Sequence, residues 1–184
     1  IEGNMADKYQ AVFGAIFMPT SVINLVAGFV IRPYITKLSD QWERNALSEF
    51  AGTVGRLAAI IAALTVLAVG GAWILGIPVL SMLYPKIAYM LRECRLALAF
   101  IILGGAFNAY VNLFYYALII MQEQKRFFLG YIGVTVAALL ISSPCVRAAG
   151  LLGGSLSYLL LMAALTACFG LTSLVMYRRR ARGR

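Results

Sequence analysis

The sequence contains no histidine and only three cysteines in 184 residues. Histidine and cysteine are the usual zinc ligands, and histidine is the usual side-chain base in acid–base catalysis. The cysteines, Cys94, Cys145 and Cys168, form no CxxC pair. These absences argue against the common metal sites and against His-based catalysis. We therefore expect a protein without cofactor or metal that is not an enzyme.

Charged residues are also scarce. Asp, Glu, Lys and Arg make up 12% of the chain, whereas hydrophobic residues make up 62% and the mean hydropathy is +0.86. A soluble domain has about 25% charged residues, which help to cover its water-facing surface. This chain has too little polar material for such a surface. The solvent for much of it must therefore be lipid.

The sequence does contain five long stretches that are nearly free of Asp, Glu, Lys and Arg. They are Tyr9–Ile31, Leu57–Pro85, Leu96–Gln124, Phe127–Val146 and Ala148–Tyr177. A helix of about 20 residues covers the hydrocarbon core of a bilayer, and none of these stretches has the alternating pattern of a membrane barrel. We predict an all-α, polytopic transmembrane bundle of about five spans.

The net charge of +9 could suggest nucleic-acid binding, but the basic residues lie at the ends of the apolar stretches and not on one face. This distribution is typical of topology determinants. With a cytoplasmic C-terminus, that side receives 11 of the 16 Lys and Arg residues: Arg32, Lys37, Arg44, Arg56, Lys125, Arg126, Arg178, Arg179, Arg180, Arg182 and Arg184. The other side receives Lys8, Lys86, Arg92, Arg95 and Arg147. We therefore predict the N-terminus outside and no nucleic-acid partner.

This topology divides the chain into an external loop at 1–8, a membrane region at 9–177 and a basic cytoplasmic tail at 178–184. A disulfide between Cys94 and Cys145, both near the predicted external face, is disfavoured because disulfide geometry is demanding. The chain begins at Ile1. We expect a C-terminal fragment that lacks an N-terminal portion.

The cytoplasmic linker at 37–55 is amphipathic. Its apolar residues recur every fourth position, with charged residues on the other faces: Leu38, Trp42, Ala46, Phe50 and Val54. One interpretation is a helix lying in the membrane interface, for which a tryptophan at headgroup level is suitable. The other is a helical extension of the second span.

Polar residues and a proline interrupt two of the predicted spans. Pro19 should bend the first span, where Thr20 and Ser21 can satisfy the freed carbonyl and Asn24 follows one turn later. Such kinks serve transporters that rock between states, but they also occur as static packing features. Arg32 ends this span, either as a topology anchor or as a contact for a phosphate headgroup.

The third span carries Asn108 and Asn112 on one helix face, followed by Tyr115 and Tyr116. An unpaired amide is costly in lipid, so this face should point into the protein or a wet cavity. It either lines a substrate path suited to sugar hydroxyls or supplies interhelical hydrogen bonds. The glycines at 104–105 and 150–154 indicate close helix packing, since no strand or Lys-Ser/Thr accompanies them as a nucleotide loop requires.

Residues 14–25, with Phe29 and the Arg32-Pro33 pair, resemble a proline-bearing helix of bacterial polysaccharide-biosynthesis proteins, the oligosaccharide flippases of the multidrug/oligosaccharidyl-lipid/polysaccharide exporter superfamily. Other segments that fit the resemblance are Asn4 with 7–9, Trp42, 76–84, 104–107 and 124–126. The resemblance implies part of the C-terminal bundle of a two-bundle transporter in the bacterial cytoplasmic membrane.

The resemblance also implies the activity and its partners. It points to a flippase that moves undecaprenyl-diphosphate-linked glycans by alternating access, surrounded by membrane lipids and completed by the missing N-terminal half. The alternatives are a drug or cation antiporter of the related extrusion family and a structural membrane subunit. The Arg32-Pro33 segment and the lack of carboxylates within the spans favour the flippase. The substrate-path candidates are Asn24, Arg32, Asn108, Asn112, Tyr115 and Tyr116.

Overall fold

A computed structural model describes residues 2–83, 95–122 and 124–183. The helices are α1 Glu2–Ile31, α2 Ile35–Glu43, α3 Leu47–Gly71, α4 Ile77–Leu83, α5 Arg95–Ile120 and α6 Gln124–Arg182. A 3₁₀ turn at Arg32–Tyr34 joins α1 to α2, and a π-helical turn at Ala72–Gly76 joins α3 to α4. These ranges contain no strand, which confirms the predicted all-α class.

The described residues include four helical stretches long and apolar enough to cross a membrane. They are Phe17–Glu43, Leu47–Gly76, Leu96–Ile120 and Gly150–Arg182, with a shorter apolar stretch at Phe127–Ala138. Large apolar side chains lie exposed on the outer surface of the bundle, among them Val22, Phe29, Leu67 and Leu140. An apolar surface of this kind is unfavourable in water, whereas contact with lipid chains is favourable. The chain is a multi-pass membrane protein, and the count of five spans remains a prediction.

Helix α6 doubles back on itself. The rings of Phe127 and Phe169 lie 4.6 Å apart between centroids, although about 60 Å would separate them along a straight helix. A Cβ at Gly130 would likewise lie 2.9 Å from the sulfur of Cys168. Gly150, with φ +54°, lies close to the midpoint of these pairs. Glycine adopts this left-handed conformation at little cost. The arms at 124–149 and 150–182 are therefore antiparallel.

Helix α5 lies at the centre of the bundle. In its most apolar stretch 56% of the residues are buried, against 11 to 22% in the other three candidate spans. Its paired glycines allow two close approaches. A Cβ at Gly104 would lie 2.5 Å from the ring of Tyr158, and a Cβ at Gly105 would lie 2.5 Å from the methyl group of Thr20. The predicted role of these glycines in close helix packing is confirmed.

Most of the basic residues whose side chains the structure describes lie at one end of the bundle. Trp42, Leu47, Met121 and Met176 share one buried cluster, so the α2–α3 turn, the end of α5 and the end of α6 lie together. Basic residues concentrate there, and we call it the basic end: Lys37, Arg44, Lys125, Arg178, Arg179, Arg180 and Arg182. A second cluster joins Leu80 and Leu98 to Phe17 and Leu151 at the opposite end. The grouping agrees with the predicted topology, but the compartment at each end remains a prediction.

The linker at 37–55 is not one helix. Helix α2 ends at Glu43 and α3 begins at Leu47, with Asn45 between them at φ 60°. Asparagine tolerates this left-handed conformation, which ends a helix. Leu38, Trp42 and Phe50 are nevertheless buried together because the two helices pack against each other. The four-residue spacing therefore marked three buried side chains, whereas Ala46 and Val54 are only partly buried, and it missed the turn.

Two further predictions concern segments at the opposite end. Residues 2–8, expected as an external loop, form the first turns of α1, since Glu, Met, Ala and Lys are good helix formers. The disfavoured Cys94–Cys145 disulfide lies outside the described side chains, as do Asn4 and residues 7–9.

Candidate functional site

Thr20 of the first span faces α5, whereas its neighbour Ser21 is exposed. Thr20 contacts Gly105 and donates a hydrogen bond of 3.2 Å to the carbonyl oxygen of Ile101. Asn24 and Ala27 follow Thr20 at spacings of four and three residues, which keeps them on the same helix face. Ala27 shares a buried cluster with Ala109 of α5. Helices α1 and α5 therefore run parallel with this face at their interface.

Asn108 and Asn112 lie on the matching face of α5. They follow Ile101 and Gly105, which contact Thr20, at spacings of three or four residues. Such a spacing places all four residues on one side of the helix. Asn24 of α1 lies between Thr20 and Ala27 in the sequence. We call Asn24, Asn108 and Asn112 the asparagine strip. All three side chains are partly buried.

The hydrogen bonding of the strip is incomplete. The Oδ1 atom of Asn24 is buried and has no hydrogen-bond partner in the described structure. Asn112 donates from Nδ2 to the backbone oxygen of Asn108, 3.1 Å away on its own helix. Within the described ranges, no hydrogen bond joins two side chains of the strip. An unsatisfied buried acceptor costs about 1–3 kcal/mol, which a polar partner would recover.

Three hydroxyl groups donate hydrogen bonds between helices within the apolar part of the bundle. Besides the bond from Thr20, Tyr110 donates to the carbonyl of Ala58 at 3.0 Å, and Thr166 donates to the carbonyl of Phe107 at 2.9 Å. The interhelical bonds of Tyr110 and Thr166 were not predicted from the sequence. Thr20 was predicted to bond the carbonyl freed by Pro19, whereas it donates to α5 instead. A hydroxyl within an apolar stretch was the available signal, since membrane helices use such groups as interhelical donors.

Two of the other candidates, Tyr115 and Arg32, have different surroundings. The ring of Tyr115 packs on Phe127 of the first arm of α6, 4.8 Å between centroids, and on Tyr116 at 5.4 Å. These contacts place Tyr115 in an aromatic cluster with Phe169. Arg32 is exposed where α1 passes into the 3₁₀ turn. The structure therefore gives Tyr115 aromatic partners and leaves Arg32 exposed, and the substrate path itself remains a prediction.

An apolar groove opens beside Pro19, between α1 and the α3–α4 segment. Its volume is about 540 Å³, and its walls include Pro19, Ile23, Gly71, Leu75 and Ile102. The π-helical turn forms one wall, and Pro78 follows it in α4. Proline lacks the N–H that would bond the carbonyl of Ile74, and a wider turn accommodates that loss. The groove suits a hydrocarbon chain and offers almost nothing to a polar group.

No family model, no curated protein and no solved structure matches the chain. No family is shown. The resemblance to oligosaccharide flippases therefore remains an expectation from the sequence.

The chemistry that the strip offers is amide hydrogen bonding. An amide presents both donors and acceptors, as a sugar hydroxyl does, and carries no charge to be neutralised. In the part of the chain that the structure describes, no three His, Cys, Asp or Glu side chains come close enough together to hold a metal ion. The arrangement can bind a neutral polar group within the depth of the membrane.

Proposed function

We propose that the chain forms part of a flippase that moves lipid-linked oligosaccharide or polysaccharide precursors across the bacterial cytoplasmic membrane by alternating access. The observation that carries the proposal is the buried Oδ1 of Asn24, which has no hydrogen-bond partner in the described structure. Polar side chains within the membrane are costly, and those that persist commonly serve a substrate path. Here the hydroxyls of Thr20, Tyr110 and Thr166 already tie the helices together.

The character of the strip favours a neutral, hydroxyl-rich substrate. A cation-coupled drug antiporter normally carries a carboxylate within its spans, and the stretches that contain Asn24 and Asn108 have none between 9 and 31 or between 96 and 122. Amides exchange hydrogen bonds with sugar hydroxyls without a change of charge. We therefore favour a lipid-linked glycan over a cationic drug.

The apolar groove supports the lipid-linked form of the substrate. Ile23 lines the groove, and the next residue is Asn24, whose Oδ1 is buried. A hydrocarbon tail such as that of an undecaprenyl diphosphate would occupy the groove while its sugar contacts the strip. On this proposal the chain has five spans, and a second helical bundle forms the other side of the substrate path.

The basic end is assigned to the cytoplasm. Cytoplasmic segments of membrane proteins carry an excess of Lys and Arg, and the α2–α3 turn, the start of α6 and its last turns hold most of them here. The opposite end, with Gly150 and the end of α4, then faces the external compartment. Transport would run from the basic end toward this opposite end.

Replacing Asn24 and Asn108 with leucine tests the proposal. We expect translocation of a lipid-linked oligosaccharide in reconstituted vesicles to fall at least about 10-fold, since each lost hydrogen bond to substrate contributes about 1 kcal/mol or more. The melting temperature should stay within a few degrees, because the amides do not tie the helices together. Translocation is followed by the accessibility of the glycan to an external lectin.

Tyr110→Phe is the matched control. It removes one hydrogen bond at the same depth, from Tyr110 to Ala58, on the side of α5 that contacts α3. This variant should lower the melting temperature and retain translocation once folded. If the double leucine variant translocates normally at normal expression, the strip serves packing alone and the chain is better described as a structural membrane subunit.

A further inference from the structure

The last turns of α6 carry a cluster of arginines that the structure divides between two helix faces. Arg178, Arg179 and Arg182 are exposed, whereas Arg180 is half-buried. As topology determinants, all four arginines would act alike, because that role depends on their charge alone. The two faces contact different surroundings.

Arg180 faces the protein. Its guanidinium lies 4.1 Å from the centre of the Trp42 ring. It also donates to Oδ1 of Asn45 and to the backbone oxygen of Trp42, both at 3.1 Å. These contacts span 135 and 138 residues of sequence. They fix the last turns of α6 against the α2–α3 turn.

The outward arginines continue an apolar face. Leu171, Leu174 and Val175 are exposed along the side of α6 that faces away from the bundle. The outward arginines extend the same spacing of three and four residues: Arg178, Arg179 and Arg182. At 3.6 residues per turn, Arg180 lies nine residues and two and a half turns after Leu171, on the opposite side.

The position of this face along the membrane normal identifies its partner. Apolar side chains such as Leu171 stay among acyl chains, and the arginines lie about 10–16 Å further along the helix. That distance leads from the hydrocarbon into the headgroup layer. We propose that Arg178, Arg179 and Arg182 form a binding surface for the phosphate headgroups of anionic phospholipids at the basic end. The proposal requires the membrane embedding and is independent of the transported substrate.

The charge and the geometry both fit this partner. Three guanidinium groups on one face provide donors that match phosphate oxygens, and basic clusters next to a membrane helix attract anionic lipids. In the described residues the last two turns of α6 contain no Asp or Glu to neutralise them. Arg180 contacts the α2–α3 turn, and the outward arginines lie on the other side of the helix, where they are free to meet the lipid.

The test compares lipid binding by the purified full chain. One variant replaces Arg178, Arg179 and Arg182 with glutamine, a second replaces the same residues with lysine, and a third is Arg180→Gln. Each is titrated in neutral detergent with phosphatidylglycerol or phosphatidylcholine, and binding is read from thermal stabilisation. The glutamine triple should weaken phosphatidylglycerol binding about 100-fold, since each basic residue contributes about fivefold. Phosphatidylcholine binding should not change.

The other variants separate charge from folding. The lysine triple should retain most of the phosphatidylglycerol binding, and Arg180→Gln should melt at a lower temperature yet bind the lipid within about twofold of the parent. Equal binding by the glutamine triple and the parent would overturn the proposal. So would an equally tight response of the parent to inorganic polyphosphate, because the surface would then recognise anions in general and not lipid headgroups.

Discussion

Arg180 shows how one side chain differs from identical neighbours in an arginine-rich tail. Its guanidinium combines a cation–π contact with Trp42 and two hydrogen bonds to the α2–α3 turn. Cation–π contacts contribute about 0.5–2 kcal/mol, and hydrogen bonds from a charged donor contribute about 1.5–3 kcal/mol each. Part of that gain is lost to solvent because Arg180 is only half-buried.

Arg180→Ala should therefore destabilise the folded chain by about 1–3 kcal/mol in neutral detergent. The matched control is Arg179→Ala, which removes an exposed arginine from the adjacent position and should change stability by no more than about 0.5 kcal/mol. Thermal unfolding followed by tryptophan fluorescence gives the comparison, since Trp42 lies beneath the guanidinium. Equal melting temperatures for the two variants would refute the assigned role of Arg180.

For the asparagines, the sequence predicts the helix face but not the hydrogen-bond partners. Their position on one helix face followed from the spacing of Asn108 and Asn112. Whether an amide is satisfied depends on atoms of another helix. Asn24 lies 84 positions before Asn108. In the folded structure its Oδ1 atom is buried without a hydrogen-bond partner, and this property depends on the surrounding helices.

At the scale of helices, the two adjacent glycines of α5 determine how closely its neighbours approach. Gly104 faces Tyr158 of the second arm of α6, and Gly105 faces Thr20 of α1. Glycine allows the close helix approach that packing in lipid favours. The sequence predicted close packing at Gly104 and Gly105 but not which helices approach them. Adjacent residues point to different sides of a helix, and the sequence does not say which neighbour lies on each side.

Gly105→Val should displace α1 from α5. A Cβ at this position would lie 2.5 Å from the Thr20 methyl group and 3.2 Å from its hydroxyl, so the bond from Thr20 to Ile101 should be lost. We expect destabilisation of about 2–4 kcal/mol, as overpacking and a lost hydrogen bond combine. Melting of the purified protein measures the effect.

Gly55→Val is the matched control for this substitution. A Cβ at Gly55 has no atom within 4 Å, so the variant should melt close to the parent. If Gly55→Val and Gly105→Val lower the melting temperature equally, general loss of glycine and not the α1–α5 contact would explain the effect.

In the linker and in α6, sequence periodicity does not predict where the chain changes direction. A spacing of four residues predicts which side chains share a face, but it continues through Asn45, where the chain turns. Likewise, α6 is helical on both sides of Gly150, and the contact between Phe127 and Phe169 reveals the reversal. Local preference describes the helices well, whereas the direction after a single left-handed residue depends on tertiary packing.

At the scale of the whole molecule, both ends of the bundle are defined by clusters that combine distant segments. The basic end gathers residues near 42, 121 and 176, and the opposite end gathers residues near 17, 80, 98 and 151. A reversed orientation would place most Lys and Arg residues outside, against the usual bias of membrane proteins.

Cysteine labelling measures this orientation in intact cells. In a variant without native cysteines, Lys125→Cys should resist a membrane-impermeant external reagent, and Met82→Cys, which replaces a highly exposed residue at the end of α4, should react. Both positions should react after the membrane is permeabilised, which shows that each site is accessible. The opposite labelling pattern in intact cells would reverse the assignment.

The sequence by itself determined the solvent, the all-α class and the positions of the basic residues at the ends of the apolar stretches. Few polar residues and long apolar stretches require lipid, and lipid requires helices whose backbone groups bond internally. Tertiary structure alone decided that Arg180 faces the protein while Arg178 faces outward, that Tyr115 packs on Phe127, and that the Asn24 acceptor has no partner. The reason is physical: composition and periodicity are properties of a segment, whereas burial and hydrogen-bond pairing depend on atoms that distant segments bring together.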